Sequence, residues 1–214
     1  MKANVFEFAA QVDLQIASHS QTEYLRKLGQ AKLLREELYP LSRLGLHLKQ
    51  PGNTVTVEAF EDNGHADGRI EISGFNEREF EVQVTFAAYG YEDALKDELM
   101  ATEGFAPGFG TISRNHSNNK IQAEISAADY DEHVPRISCA IVGRIKDKAK
   151  FAYPDGTVLL VAFDEYKMSG RSWWGQLFAS LDIGERPSHR FSEIYFFNCW
   201  TNEIYLYERK RLAD

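Results

Sequence analysis

Cysteine is scarce in this chain. Cys139 and Cys199 are its two cysteines in 214 residues. They stand 60 positions apart and match neither a C-x-x-C pair nor a zinc-ligand spacing. A disulfide-stapled scaffold is therefore not indicated, and a reduced, cytoplasmic setting is expected. Long apolar runs are missing too. None approaches the ~20 residues that cross a bilayer, and the longest, at 157–163 and 193–197, have the length of buried strands. No membrane association is expected. The first residues carry Glu7 and Asp13 within their apolar part, unlike a secretory leader. Positive charge is in deficit, with 24 Lys and Arg against 32 Asp and Glu, a net charge of -8. That excludes a surface uniformly coated for nucleic acid and leaves room for a local basic groove.

Several catalytic signatures are also absent. There is no G-x-S-x-G, no G-x-x-x-x-G-K-[ST] and no G-x-G-x-x-G, and Ser, Cys and His form no triad pattern. The glycine-rich stretch 104–110 lacks the Lys-Ser/Thr that a phosphate cradle requires. Serine-hydrolase and nucleotide-driven chemistries drop out.

What is present is globular. Hydrophobic residues make up 43% and aromatics 13%, enough for a sizeable core in one domain spanning residues 1–214. Ser20 followed by Glu23 has the spacing of a capping box, and Leu25, Leu28, Leu33, Leu34 and Leu38 continue an apolar stripe to Pro40. This predicts a helix that Pro40 ends. Strands are expected at 54–60, 69–73 and 79–86, joined by short turns into an antiparallel meander. In the last, Phe80, Val82, Val84 and Phe86 share one face and Glu79, Glu81, Gln83 and Thr85 the other. Residues 87–135 read as an insertion, with a helix at 91–102 and a strand near 121–125. A helix should begin at Pro135, with Lys146, Lys148 and Lys150 at its end. A fully buried strand at 157–163, a helix at 172–181 and a hairpin of 193–197 with 203–207 complete the chain.

Metal-assisted phosphodiester hydrolysis needs carboxylates that converge on a divalent cation and a polar side chain near the attacking water. A strand puts residues i and i+2 on one face, so Glu81 and Gln83 can serve together. Thirteen residues separate Asp67 from Glu81, enough for a hairpin that brings them side by side. The pattern Asp67…Glu81-x-Gln83 resembles the D…E-x-K signature of the PD-(D/E)XK nuclease superfamily, with Gln in place of Lys. The order helix, three-strand meander, helix, buried strand is similar as well. The resemblance implies an α/β, restriction-endonuclease-like mixed sheet carrying an insertion and a C-terminal hairpin. It implies Mg²⁺ or Mn²⁺ held by Asp67 and Glu81, and Gln83 in the place of the water-orienting lysine. It further implies a helix-borne acid, Glu23 or Glu37, and a DNA or RNA substrate. The alternative is a non-catalytic interaction protein on the same fold, with a degenerate site and a protein partner. The acidic net charge and the Lys-to-Gln change favour that alternative.

Other residues have two readings each. His65 lies two positions from Asp67 and is an accessory candidate, or a solvated turn histidine. Arg114, His116 and Lys120 could touch phosphate, or form a polar loop tip. Lys146 could meet a nucleic-acid backbone, or sit on a solvated helix face. Arg171, Trp173 and Trp174 could stack bases, or anchor a helix to the sheet.

Overall fold

Strand alternation sets the centre of the molecule. The computed structural model describes residues 1–60, 66–88, 90–107, 111–124, 130–165, 170–184 and 190–207, with 130–132 described by backbone alone. Its strands are β1 (Lys2–Asn4), β2 (Thr54–Ala59), β3 (Gly68–Ser73), β4 (Arg78–Ala87), β5 (Ile112–Arg114), β6 (Ile121–Ala123), β7 (Val158–Phe163), β8 (Glu193–Asn198) and β9 (Glu203–Leu206). Seven of them form one mixed sheet in the order β1-β2-β3-β4-β7-β8-β9, while β5 and β6 pair separately. The meander β2-β3-β4 is antiparallel, as its short turns require. β7 runs parallel to both β4 and β8, and β9 returns antiparallel on β8.

Parallel neighbours need crossover connections, and helices supply them. The crossovers from β4 to β7 and from β7 to β8 carry α5 (Tyr91–Glu103), α6 (Tyr130–Lys148) and α7 (Arg171–Ser180), while α1 (Val5–Ser18), α2 (Gln21–Leu25), α3 (Gln30–Leu33) and α4 (Tyr39–Leu48) lie between β1 and β2. The sheet separates two cores. Phe80, Val82 and Val84 of β4 join Leu160 of β7, Phe8 of α1 and Leu44 of α4 on one face. Leu159 and Val161 of β7 join Ile141 and Ile145 of α6 and Trp173 and Trp174 of α7 on the other. Every residue of β7 is buried, which is why its sequence is an unbroken apolar run rather than an alternating one. Both tryptophans are core anchors, so the base-stacking reading does not apply to them. Among the described residues no helix is long and apolar enough to cross a membrane.

Two prolines behave differently from expectation. The capping box at Ser20 and Glu23 forms, but α2 ends by Leu25, and Lys27 and Gly29 take positive φ before helix resumes. The helical path then continues past Pro40 to Leu48 through a π-helical turn at Leu34–Leu38. Pro40 falls in the first turn of α4, where the interrupted hydrogen-bond ladder asks little of a missing N–H. Pro135 lies inside α6, which starts at Tyr130 instead. Residues 115–120 are the polar loop, exposed from His116 onward, that joins β5 to β6 in a small hairpin.

Candidate functional site

The meander splits at the start of β3, where β4 runs on past Gly68. Gly68 is the hinge of that split. A Cβ there would lie 2.6 Å from the Glu58 carbonyl oxygen and 2.5 Å from Leu41 Cδ2, so no other residue fits without moving backbone. Asp67, one residue earlier, is thereby pressed against β4. Its N–H donates to the Val82 carbonyl at 3.0 Å. Its carboxylate Oδ2 accepts the Val84 N–H at 2.6 Å and the Gln83 Nε2–H. Gln83 Nε2 also donates to the Val84 carbonyl at 2.9 Å. With an acceptor on each side, only the nitrogen of the Gln83 amide can face Asp67.

Gln83 and Thr85 are 4% and 7% exposed, so this half of the β4 face is shielded, while Glu79 at its start is exposed. α6 covers it. Glu81 lies further along the same face, opposite Arg69 in register, with Arg69 Nη2 3.7 Å from Glu81 Oε1 and Arg69 Nη1 3.3 Å from Glu79 Oε1. Asp67, just before β3, and Glu81 on β4 therefore share one face, with Glu81 sharing Arg69 with Glu79 and Asp67 hydrogen-bonded by Gln83.

Burial pushes the Asp67 carboxyl up from the ordinary aspartate range, against the opposing pull of the Val84 N–H, Lys148 and Gln83. Glu37, on the π-helical turn, is also pushed up. Burial is the larger cause and the negative charge of Asp67 the next, with Lys148 pulling the other way. Burial and the Asp67 charge likewise raise the Tyr153 phenol. Two half-buried carboxyls, one ammonium and one phenol thus share one electrostatic neighbourhood. Lys148 had been counted with the solvated end of α6. Its signal was in the helix period: it continues the inward positions Ile141 and Ile145 at i+4 and i+3, whereas Lys146 is exposed. Tyr153 had no sequence signal, because its approach depends on how the turn into β7 packs.

The other expected residues scatter. His65 lies outside the described residues. Glu23 is spent on the Ser20 cap, and the Ser20 bonds hold its carboxyl below the ordinary range. Arg114 is bound 2.6 Å from Glu98 of α5. Lys120 and His116 are exposed on the β5-β6 hairpin. Arg171 is exposed at the start of α7, and the ion pair of Lys150 is with Asp147.

The donor set suits a hard cation. Asp67 and Glu37 offer oxygens alone, Mg²⁺ typically takes one or two protein carboxylates, and bound positive charge would relieve their repulsion. Among the described residues both donors to Asp67 address Oδ2, so Oδ1 keeps its lone pairs. Among the same residues no group of three or more His, Cys, Asp and Glu side chains is arranged to hold a metal. Among the described residues a cation here would rest on two carboxylates, with water and substrate completing its shell. Compared with protein-family models, curated proteins and solved structures, the chain finds no match.

Proposed function

We propose that the chain is a divalent-cation-dependent phosphodiester hydrolase on a PD-(D/E)XK-like scaffold, acting on DNA or RNA. The observation that carries this reading is the buried Asp67 at the β3/β4 split, with Glu37 and Lys148 in its field. The element order supports it: helix 30–48, the β2-β3-β4 meander, α6, and β7 parallel to β4. Asp67 and Glu37 would hold Mg²⁺ or Mn²⁺, with Glu81 at the outer edge of the site. Once bound, the cation would lower the pKa of a water and offset charge on phosphate oxygens. The chain's own residues set the stage. Gln83 and Val84 fix the Asp67 carboxylate, and α6 keeps bulk water from that face. Lys148 supplies positive charge beside the position a phosphate would take. Gln83 is neutral and positions Asp67; it accepts no proton.

Mn²⁺ titration by calorimetry tests the site without choosing a substrate. One saturable site is expected, weakened at least ~10-fold by Asp67→Asn or Glu37→Gln, which is about 1.4 kcal/mol. Mg²⁺-dependent cleavage of single- and double-stranded DNA and RNA should disappear in the same variants while the far-UV CD spectrum is kept.

A second reading is favoured by Arg69 beside Glu81 and by the Gln83 amide on Asp67, an ion pair and a hydrogen bond that occupy these carboxylates from within the chain. On that reading the domain binds a partner without catalysis. Parent protein that neither binds Mn²⁺ nor cleaves any of the four substrates would establish it over the first.

A further inference from the structure

A pocket of about 790 Å³ opens at the carboxyl ends of β4, β7 and β8, on the α1/α4 side of the sheet. Crevices at the carboxyl ends of parallel strands are where α/β folds take ligands, and this volume suits a small molecule. Its walls come from Tyr24 and Leu25 of α2, Phe86 at the end of β4, and Met100 on α5. Phe105 and Trp200 stand at the lining too, each 64% exposed. The segment between β4 and α6 thus contributes one wall, which gives that insertion a physical task.

The lining holds five carboxylates and four cations. Three of the cations are already committed. Lys27 lies 2.7 Å from Glu36 and over the Phe86 ring at 4.7 Å. Arg43 pairs with Asp13 and covers Tyr39 at 4.4 Å. Arg35 is 9% exposed and serves two carboxylates, Asp97 at 3.0 Å and Asp164 at 2.6 Å, while donating to the Leu25 carbonyl at 2.7 Å. Arg35 and Lys27 together face Asp97, Asp164 and Glu36, which leaves one negative charge in excess. It is most accessible at Asp164, whose side chain is 32% exposed and bonds Arg35 through Oδ2.

We propose that this pocket binds a small organic cation, a protonated amine on a flat apolar body, with Asp164 as its counter-ion. The aromatic walls take the body, and the amine meets Asp164 near the rim. The surrounding groups respond to the same field: Tyr24, Cys199 and Asp97 are all pushed up, first by burial and in part by the Asp164 charge. Lys96 on α5 is the fourth lining cation and defines the competing class, an anion. The inference is independent of chemistry at Asp67, which lies with Gln83 on the α6 side.

The test is a charge series on one body: 2-phenylethylamine, 2-phenylethanol and 3-phenylpropanoate. Binding is followed by tryptophan fluorescence, with Trp200→Phe assigning the change to the pocket. The amine should bind saturably and at least ~10-fold more tightly than the alcohol, and the carboxylate not at all. Asp164→Asn should bring the amine down to the level of the alcohol. Met100→Trp, which fills the pocket without touching a charge, should remove binding of both. Carboxylate binding equal to that of the amine would overturn the proposal in favour of an anion site at Lys96. So would no saturable binding by the amine, or undiminished amine binding in Met100→Trp. Should Asp164→Asn unfold on a CD check, the Met100→Trp result decides.

Discussion

Burial opposes ionisation of Asp67 in the folded chain. A carboxyl raised by burial is best accommodated in the fold when protonated, so its contribution is present below the unfolded value, about pH 4. It is lost as pH rises through the folded value. Glu37 behaves in the same direction. Asp67→Asn should therefore melt above the parent at pH 7, with the gap closing toward about pH 4. Both donors to Asp67 address a single oxygen, and the Asn carbonyl can accept both. Thermal melts at the two pH values check this. A variant less stable at pH 7 would mean that the two hydrogen bonds outweigh burial of the charge. The shared face of Glu81 and Gln83 was legible from strand period, whereas the bond between Gln83 and Asp67 was not. Glu37 could be named as a helix acid, whereas its response to Asp67 could not.

At the scale of elements, Gly68 decides where β3 begins. Its Cβ position is closed by the Glu58 carbonyl, so Gly68→Ala must separate β2 from β3 locally. The expected cost is about 1–3 kcal/mol, as for overpacking elsewhere. Mn²⁺ affinity should fall in parallel, because Asp67 moves with the strand. Loss of stability with unchanged affinity would detach the site from this hinge. Ser20 is a milder case. Its side chain accepts the Glu23 N–H at 3.2 Å, and the Glu23 carboxylate returns the bond to the Ser20 N–H at 2.9 Å. Ser20→Ala should cost about 1 kcal/mol in chemical denaturation. The cap was readable because it is local. The break after Leu25 and the passage through Pro40 were not, since both depend on the π-helical turn and on packing of α4 against β2 and α1.

At the scale of the molecule, two cores on opposite faces of one sheet share β7. Leu160 belongs to the α1/α4 core and Leu159 to the α6/α7 core, and both are 0% exposed. Leu160→Ala and Leu159→Ala should each cost about 2–5 kcal/mol. Urea denaturation would test this, and a cost under 1 kcal/mol at either position would show that core to be loosely packed. Bidentate pairing of Arg78 with Glu193, at 3.1 Å for both bonds, ties β4 to β8 across β7. By itself the sequence determined the α/β class, the meander, the buried strand, the C-terminal hairpin and the shared face of Glu81 and Gln83. Each rests on local period or turn chemistry, which a short window of residues expresses. Only the tertiary structure decided that Glu37 and Lys148 would enter the field of Asp67, and that a pocket would open under α2 and α5. Those meetings join segments dozens of residues apart, and charge and burial at such distances are properties of the packed sheet rather than of any stretch of chain.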